Sequence, residues 1–514
     1  MDFYDIEEIM SRNLKKTTLW NLSFQYYSIL YSITLGLLLV PLYVQHIPLN
    51  IYGAWLASGN LVLWLTYLDP GVSDVLKLKV LESYAKKEHL KLSDLLFSGL
   101  IILLFISLLI IGLGFIFSIC LKYFINEIDL NDFSIILKSF YLAILGSSLL
   151  IFSFGLSSFN QGMLSALGVG IIYVISTTVS LFISIYLLKN NYGLISIPLG
   201  QIICAIFLII GNLIYIIYRF KLEAIPVVFS LYNVKNLLSL SSVNFLGKIG
   251  GIISTQIDAL LISKFIGTNM VPSYILTKKG PEISRTFIER PPLAFLPSIT
   301  TLWYAENYDK LNFYIIRLFK LLIWILGIVF IGFVLSNKIF ITLWVGAKFY
   351  TNPFTNFLIC LNLVLLVVNS VFTNIYFSLG NIKITSRYTF FQSIITGISL
   401  FIGIKYWGIN GLLIFQLISY LVFTAWVFPV KVFKLLKIPN NVTKSILKEI
   451  LLVSISCIVL FFFFHNQNNI NNWTHFIIYV AKIVALYVTI IFILSNSLRI
   501  EVKNAYTGMS KIKK

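Results

Sequence analysis

Between Asn269 and Pro297 the chain reads N-M-V-P-S-Y-I-L-T-K-K-G-P-E-I-S-R-T-F-I-E-R-P-P-L-A-F-L-P, and its charges interrupt what is otherwise one apolar span after another. At ~100° per residue, Lys278, Glu282, Arg285 and Glu289 fall on one helix face with alternating sign, and Lys279 and Arg290 share the neighbouring face. Glu282 is within pairing reach of Lys279 as well. Two acids cannot balance four bases, so the segment keeps a cationic surplus. Lys or Arg at mid-bilayer costs roughly 2.5–3.5 kcal/mol, tolerable where the charged face looks into a protein interior or a wet cavity. The spacing therefore predicts a helix over 273–297 that lines a cationic chamber. A second reading stays open for two of the lysines. Gly280-Pro281 could end a loop and start a shorter helix, leaving Lys278 and Lys279 at the membrane surface. Arg285, Glu289 and Arg290 remain helical either way, ahead of a kink at Pro291-Pro292.

The elements that must position this helix are apolar. Of 514 residues, 58% are hydrophobic and 11% charged, with a mean hydropathy of +0.90. Soluble domains run near 45–50% apolar and about 25% charged, so the chain reads as an all-α, polytopic membrane protein. The net charge of +19 does not point to nucleic acid, because the bases are scattered between spans without a binding module. They read as topology determinants and contacts to anionic lipid.

Helices of about 20 apolar residues cross a bilayer. About fourteen fit: 17–44, 52–68, 95–121, 133–159, 169–188, 194–218, 243–266, 273–297, 313–336, 353–379, 388–404, 411–430, 450–464 and 476–495. With the N-terminus inside, roughly 26 basic residues fall in inner connections or span ends against about 6 outside, which predicts cytoplasmic termini. No cleavable leader is expected, since the first ten residues are polar and acidic and the first span stays as an anchor.

An internal repeat emerges at nearly constant spacing. Tyr192-Gly193 before Gln201 recurs as Trp407-Gly408 before Gln416, Tyr84-Ala85 as Tyr304-Ala305, and Ile47, Asn50 and Tyr52 as Ile266, Asn269 and Tyr274. Two pseudo-repeated six-helix lobes follow, 1–235 and 236–440. Helices 13 and 14 with a cytoplasmic tail complete the chain over 441–514.

Two further places carry charge within apolar sequence. In the seventh span, Lys248 and Asp258 read as a chamber-facing pair, or as an inward-snorkelling lysine and an acid held by a neighbouring helix. Asp69-Pro70-Gly71 and Asp74 read as a turn near the cytoplasmic face or as a gate. Cys120, Cys204, Cys360 and Cys457 lie far apart in or beside apolar spans, with no metal or disulfide pattern. No catalytic triad, paired-carboxylate pocket, Walker loop or nucleotide fingerprint is present, so neither an enzyme, a cofactor nor a metal is expected.

With these residues in view, the chain resembles the Wzx-type O-antigen (polysaccharide) flippases of the multidrug/oligosaccharidyl-lipid/polysaccharide (MOP) exporter superfamily. The likeness rests on P-L-Y-V followed by N-I-Y-G-A-W, on W-L-T-Y-L-D-P-G-V and on S-T-Q-I-D-A-L-L-I-S-K-F-I-G-T-N. The later N-N-Y-G-L and W-G-I-N-G-L elements extend it over nearly the whole length. Pro70 stands where members often have another residue after the aspartate. The resemblance implies movement of an undecaprenyl-diphosphate-linked oligosaccharide, in a bacterial cytoplasmic (inner) membrane, to the outer leaflet by alternating access. It further implies a polysaccharide polymerase and a chain-length regulator as partners, and proton or sodium coupling. A lipid II flippase and a multidrug/cation antiporter of the same superfamily are the alternatives. Lys248, Lys278, Lys279, Arg285 and Arg290 are then the expected substrate-binding cations. Asp258, Glu282 and Glu289 are the ion-coupling or charge-balancing acids, and Asp69 and Asp74 the candidate gate.

Overall fold

The computed structural model describes residues 3–66, 71–125, 129–230, 232–239, 257–304, 306–423, 425–465, 470–501 and 503. Among them helices dominate and no strand occurs. Ten are long and apolar enough to cross a membrane. The difference from fourteen lies in five expected spans, three that do not count and two that merge. Span 52–68 falls in the helix Leu49–Thr66, which is not one of the ten. Span 243–266 lies mostly outside the described residues, span 273–297 is too charged to qualify, and spans 388–404 and 411–430 merge into one.

Contacts divide the chain into two compact units, Met1–Pro272 and Ser273–Lys514. The first holds α1 (Phe3–His46), α2 (Leu49–Thr66), α3 (Val72–Ala85), α4 (His89–Phe124), α5 (Leu130–Gly162), α6 (Ala166–Lys189), α7 (Ser196–Leu222) and α8 (Asp258–Phe265). The repeat places the boundary at 235/236 instead. The difference comes from α8, which packs on α2 and α4 and donates the Ser263 hydroxyl to the Phe124 carbonyl at 3.0 Å. Nearby, a Cβ on Gly53 of α2 would meet the Thr268 carbonyl oxygen at 2.0 Å, so only glycine permits this approach.

Polar side chains pin the first unit together. Asn160 donates to Asn212 at 2.9 Å and Asn212 donates to Ser157 at 3.0 Å, joining α5 to α7. At one end, Arg219 of α7 pairs with Glu223 and donates to the Ser165 hydroxyl and to the Tyr84 hydroxyl of α3. The stretch after α7 is tied back to α4 through Asp94, which is buried and accepts from Asn233 and from the Tyr232 amide.

The second unit holds α9 (Met270–Tyr304), α10 (Tyr308–Trp344), α11 (Pro353–Ser378), α12 (Ile382–Phe423), α13 (Val427–Leu435), α14 (Asn440–Phe464) and α15 (Trp473–Leu494). Here α10 is the spine. One side joins a core with α11 and α13 around Phe319, Phe372 and Phe428, and Phe319 stacks on Phe372 at 3.8 Å. Its other side packs on α14 and α15 around Trp324, Cys457 and Tyr487. The last two helices therefore belong to this unit and form no third one.

The repeat recurs in the backbone. Left-handed residues Lys87, Leu164, Gly193 and Ala224 reappear as Glu306, Gly380, Gly408 and Lys437, at offsets of 219, 216, 215 and 213. The first pair ends its helices identically: the Glu88 amide reaches the Ser83 carbonyl, and the Asn307 amide reaches the Leu302 carbonyl. At Gly408 a non-helical joint, shared with Trp407, interrupts α12 between the two expected spans. By the same offsets α9 is the counterpart of α2 plus α3. The first copy breaks at Gly71, with φ 91°, whereas α9 runs on through Pro291-Pro292.

The expected orientation can be tested across α14, at Asn440 and at position 469, which lies outside the described residues. With single cysteines at these positions in a cysteine-free background, an impermeant thiol reagent should label position 469 from outside and position 440 only after permeabilisation. Labelling of both from one side would remove a membrane crossing and with it the fourteen-helix count.

Candidate functional site

The charged segment is one unbroken helix. Its 35 residues include Gly280-Pro281 and Pro291-Pro292, so Gly280-Pro281 does not end a loop. Proline lacks the amide that would reach back four residues, so Pro281 frees the Thr277 carbonyl. That carbonyl is satisfied from α10, where Asn337 donates to it at 2.8 Å. Asn337 also donates to Asn356 of α11 at 2.7 Å, and Ser273 reaches the Lys348 carbonyl at 3.3 Å. A Cβ on Gly280 would meet the Phe333 ring at 2.7 Å. The residues at 273, 277 and 280 share one face, and that face is clamped against α10.

The charges occupy the remaining faces. Lys278 pairs with Glu282 at 3.0 Å, and Arg285 pairs with Glu289 at 2.9 Å. Lys278 also sits 5.7 Å from the Tyr274 ring centroid. Each acid thus takes the base four residues before it, a spacing at which side chains on a helix meet. Glu282 pairs with Lys278 and leaves Lys279, its other reachable base. Lys279 is half-buried, Arg290 is exposed, and among the described residues neither has an acidic partner. The cationic surplus foreseen from composition resolves to these two side chains.

The structure brings six of the expected residues, Lys278, Lys279, Glu282, Arg285, Glu289 and Arg290, onto one helix of the second unit. Asp258 lies in the first unit, buried at the start of α8, where its carboxylate accepts the Ala259 amide at 2.9 Å. Lys248 and Asp69 lie outside the described residues, as does the side chain of Asp74, although α3 includes its backbone.

Other polar groups gave no motif. Glu449 of α14 is buried and accepts the Trp324 indole N–H at 3.0 Å. Arg317 of α10 pairs with Glu501 at 2.8 Å, and Lys320 donates to Ser497 at 3.0 Å, so the segment after α15 is fastened to α10. Below the clamp, α9 and α10 part around a cavity of about 1000 Å³. Its lining is apolar apart from Arg317 and the Tyr314 hydroxyl, and runs from Phe287 and Pro292 to Leu302 on α9 and from Tyr314 to Ile325 on α10.

These features define an all-α, multi-pass membrane fold of two repeated halves, with a charged helix opening the second unit. Solved structures with this fold are transporters and flippases. The lipid II flippase MurJ in an inward closed conformation has a TM-score of 0.68 and 15% identity, over 93% of this chain and 99% of that one. An inward-facing multidrug resistance MATE family transporter of the MOP superfamily gives 0.66 and 11%, over 77% of this chain and 93% of that one. A MOP superfamily transporter from Pyrococcus furiosus gives 0.56 and 12%, over 83% and 96%. At these identities the likeness is one of fold. No protein-family model matches the sequence, and neither does any curated protein.

Proposed function

We propose that the protein is a flippase for a lipid-linked oligosaccharide carried on a diphosphate, of the O-antigen type, moved from the cytoplasmic to the outer leaflet of a bacterial inner membrane by alternating access. The observation that carries this reading is the charge pattern of α9. Both acids are engaged by helical neighbours, and Lys279 and Arg290 are left to meet an anion. A diphosphate needs such donors, and fixed cations bind it best where water is scarce. Lys248, Lys278 and Arg285 complete the proposed cationic set, and Glu282 and Glu289 limit its strength so that the anion can leave. Asp258 is the candidate for an exchanged proton or sodium ion, and Asp69 with Asp74 for the gate.

A lipid II flippase has the same requirement, and the fold likeness to MurJ over nearly the full length of both chains favours it as the second reading. A carrier of cationic drugs would place its acids free and its bases paired, the reverse of α9.

The test is transport by the purified protein in vesicles. A fluorescent undecaprenyl-diphosphate oligosaccharide placed in one leaflet should become accessible to a membrane-impermeant quencher on the other side. The same headgroup sugar on a neutral glycerolipid should not move. Equal transport of both would remove the diphosphate from the mechanism.

A further inference from the structure

Between Asp309 and Glu449 the sequence holds thirteen Lys and Arg residues and no acid. Helices α11, α12 and α13 lie wholly within this stretch, so none of them offers a carboxylate to a base. An exposed base there is served by water. Lys431 of α13 is half-buried instead. Its ammonium lies 4.1 Å from the centroid of the Tyr388 ring on α12 and 5.8 Å from that of Tyr376 on α11. Both rings lean on Phe428, one turn before Lys431 and fully buried, with centroids 6.0 and 5.9 Å away. The cradle therefore has a fixed base.

A ring face attracts an ammonium through its quadrupole, but it leaves the charge in place and accepts no ordinary N–H bond. Among the described residues Lys431 donates to no oxygen, and the hydroxyls of Tyr376 and Tyr388 have no hydrogen-bond partner. An ammonium and two phenols, all able to donate, thus meet where three helices join, with no acceptor beside them. Tyr388 is 38% exposed, so the cradle is open on that side. The missing group is an anion with several oxygens. At the end of α13 expected on the cytoplasmic side, where Arg387 and Lys434 add positive charge, the anion at hand is a phosphate ester of the leaflet.

This cradle is distinct from the unpaired cations of α9. Tyr376 shares its core with Ile288 and Ile299 of α9. At ~100° per residue, those two lie on the opposite side of that helix from Lys279 and Arg290. We propose that Lys431, Tyr376 and Tyr388 form a second phosphate-ester site, in the second unit and apart from the charged face of α9. The site itself requires only the phosphate ester. That its ligand is the lipid-linked diphosphate, met before it reaches α9, rests on the flippase reading; an anionic phospholipid is the other source of the same chemistry.

The experiment reads Lys431 directly in the full-length protein, held in dodecyl maltoside and phosphate-free buffer. A brief pulse of an acetylating N-hydroxysuccinimide ester is followed by peptide mass spectrometry, which gives separate rates for Lys431 and for exposed Lys434. Undecaprenyl diphosphate is added in one arm and phosphatidylglycerol, at equal charge, in the other. Acetylation of Lys431 should slow about tenfold, the scale of one charge-assisted contact, while Lys434 changes little. Slowing by the diphosphate alone makes the substrate headgroup the ligand, and equal slowing in both arms makes it any phosphate-ester headgroup. Tyr388→Phe keeps the ring and should weaken the protection a few-fold, by one lost neutral hydrogen bond. No slowing in either arm, or equal slowing at Lys431 and Lys434 as a change of surface potential would give, overturns the proposal. Protection of Lys431 in a protein that does not flip would defeat the flippase reading and leave the site. Flipping with Lys431 unprotected would do the reverse.

Discussion

Arg290→Ala should lower transport of the diphosphate-linked substrate by about 10- to 100-fold while leaving the amount of folded protein unchanged. The range is that of a lost hydrogen-bonded contact between charged groups. Arg290 is the informative position because the structure gives it no acidic partner among the described residues. Removing it strands no carboxylate, so a loss reads as a loss of substrate contact. Arg285→Ala differs, since it leaves Glu289, whose side chain is only 17% exposed, without its 2.9 Å partner. Its phenotype should include a lower thermal midpoint, and the double change with Glu289→Gln should recover stability but not transport. Arg290→Lys keeps the charge and loses the planar fork, so an intermediate rate is expected. The measurement is complementation of a flippase-null strain beside fluorescence-detected size exclusion of each variant. Normal surface polysaccharide from Arg290→Ala would remove this residue from the site.

Membrane potential alone should drive net export. A lipid-linked diphosphate carries roughly two negative charges, and each charge crossing 100 mV is worth ~2.3 kcal/mol, so outward movement from a negative interior gains about 4–5 kcal/mol. The cations of α9 add nothing over a full cycle. Whatever work they cost while moving with the substrate returns when the empty protein resets. Only the substrate and any exchanged ion count. In vesicles with a potassium–valinomycin potential and neither a proton nor a sodium gradient, transport should increase with an inside-negative potential and slow when the potential is reversed. A rate indifferent to potential but responsive to an imposed ion gradient would replace this account with an obligatory exchange, for which Asp258, Glu282 and Glu289 are the acids to test.

The helical membrane fold was legible because apolar length is a local property, and the charged face because residues four apart must share a side. The direction of pairing was not. Glu282 lies within reach of both Lys278 and Lys279, and only the packed helix selects the first. The repeat was visible at Tyr192-Gly193 and Trp407-Gly408, where both copies keep a glycine at the left-handed joint. It was hidden at Lys87 and Glu306, or Ala224 and Lys437, where the backbone is shared and the side chains are unrelated. The cavity between α9 and α10 left no trace in the sequence, since each wall is an ordinary apolar stretch. Arg317 and Glu501 meet only because α15 packs on α10, and no short-range pattern records that.

The unequal chemistry of the two repeats bears on how the chain is made. Where α9 carries Lys278, Lys279 and Arg285, the first copy has Ser58, Gly59 and Leu65. The first copy, Leu49–Thr66, carries no charged residue, so although neither is a candidate span it enters the lipid at lower cost than α9. Its internal ion pairs lower the cost of entry, but the Thr277 carbonyl and the Gly280 face wait for Asn337 and Phe333, which are synthesised later. Helices 9 and 10 must then integrate as a pair. Biogenesis of the second half is thereby a cooperative event, and some loss-of-function changes on α10 will act by leaving α9 stranded at the surface before any substrate is met.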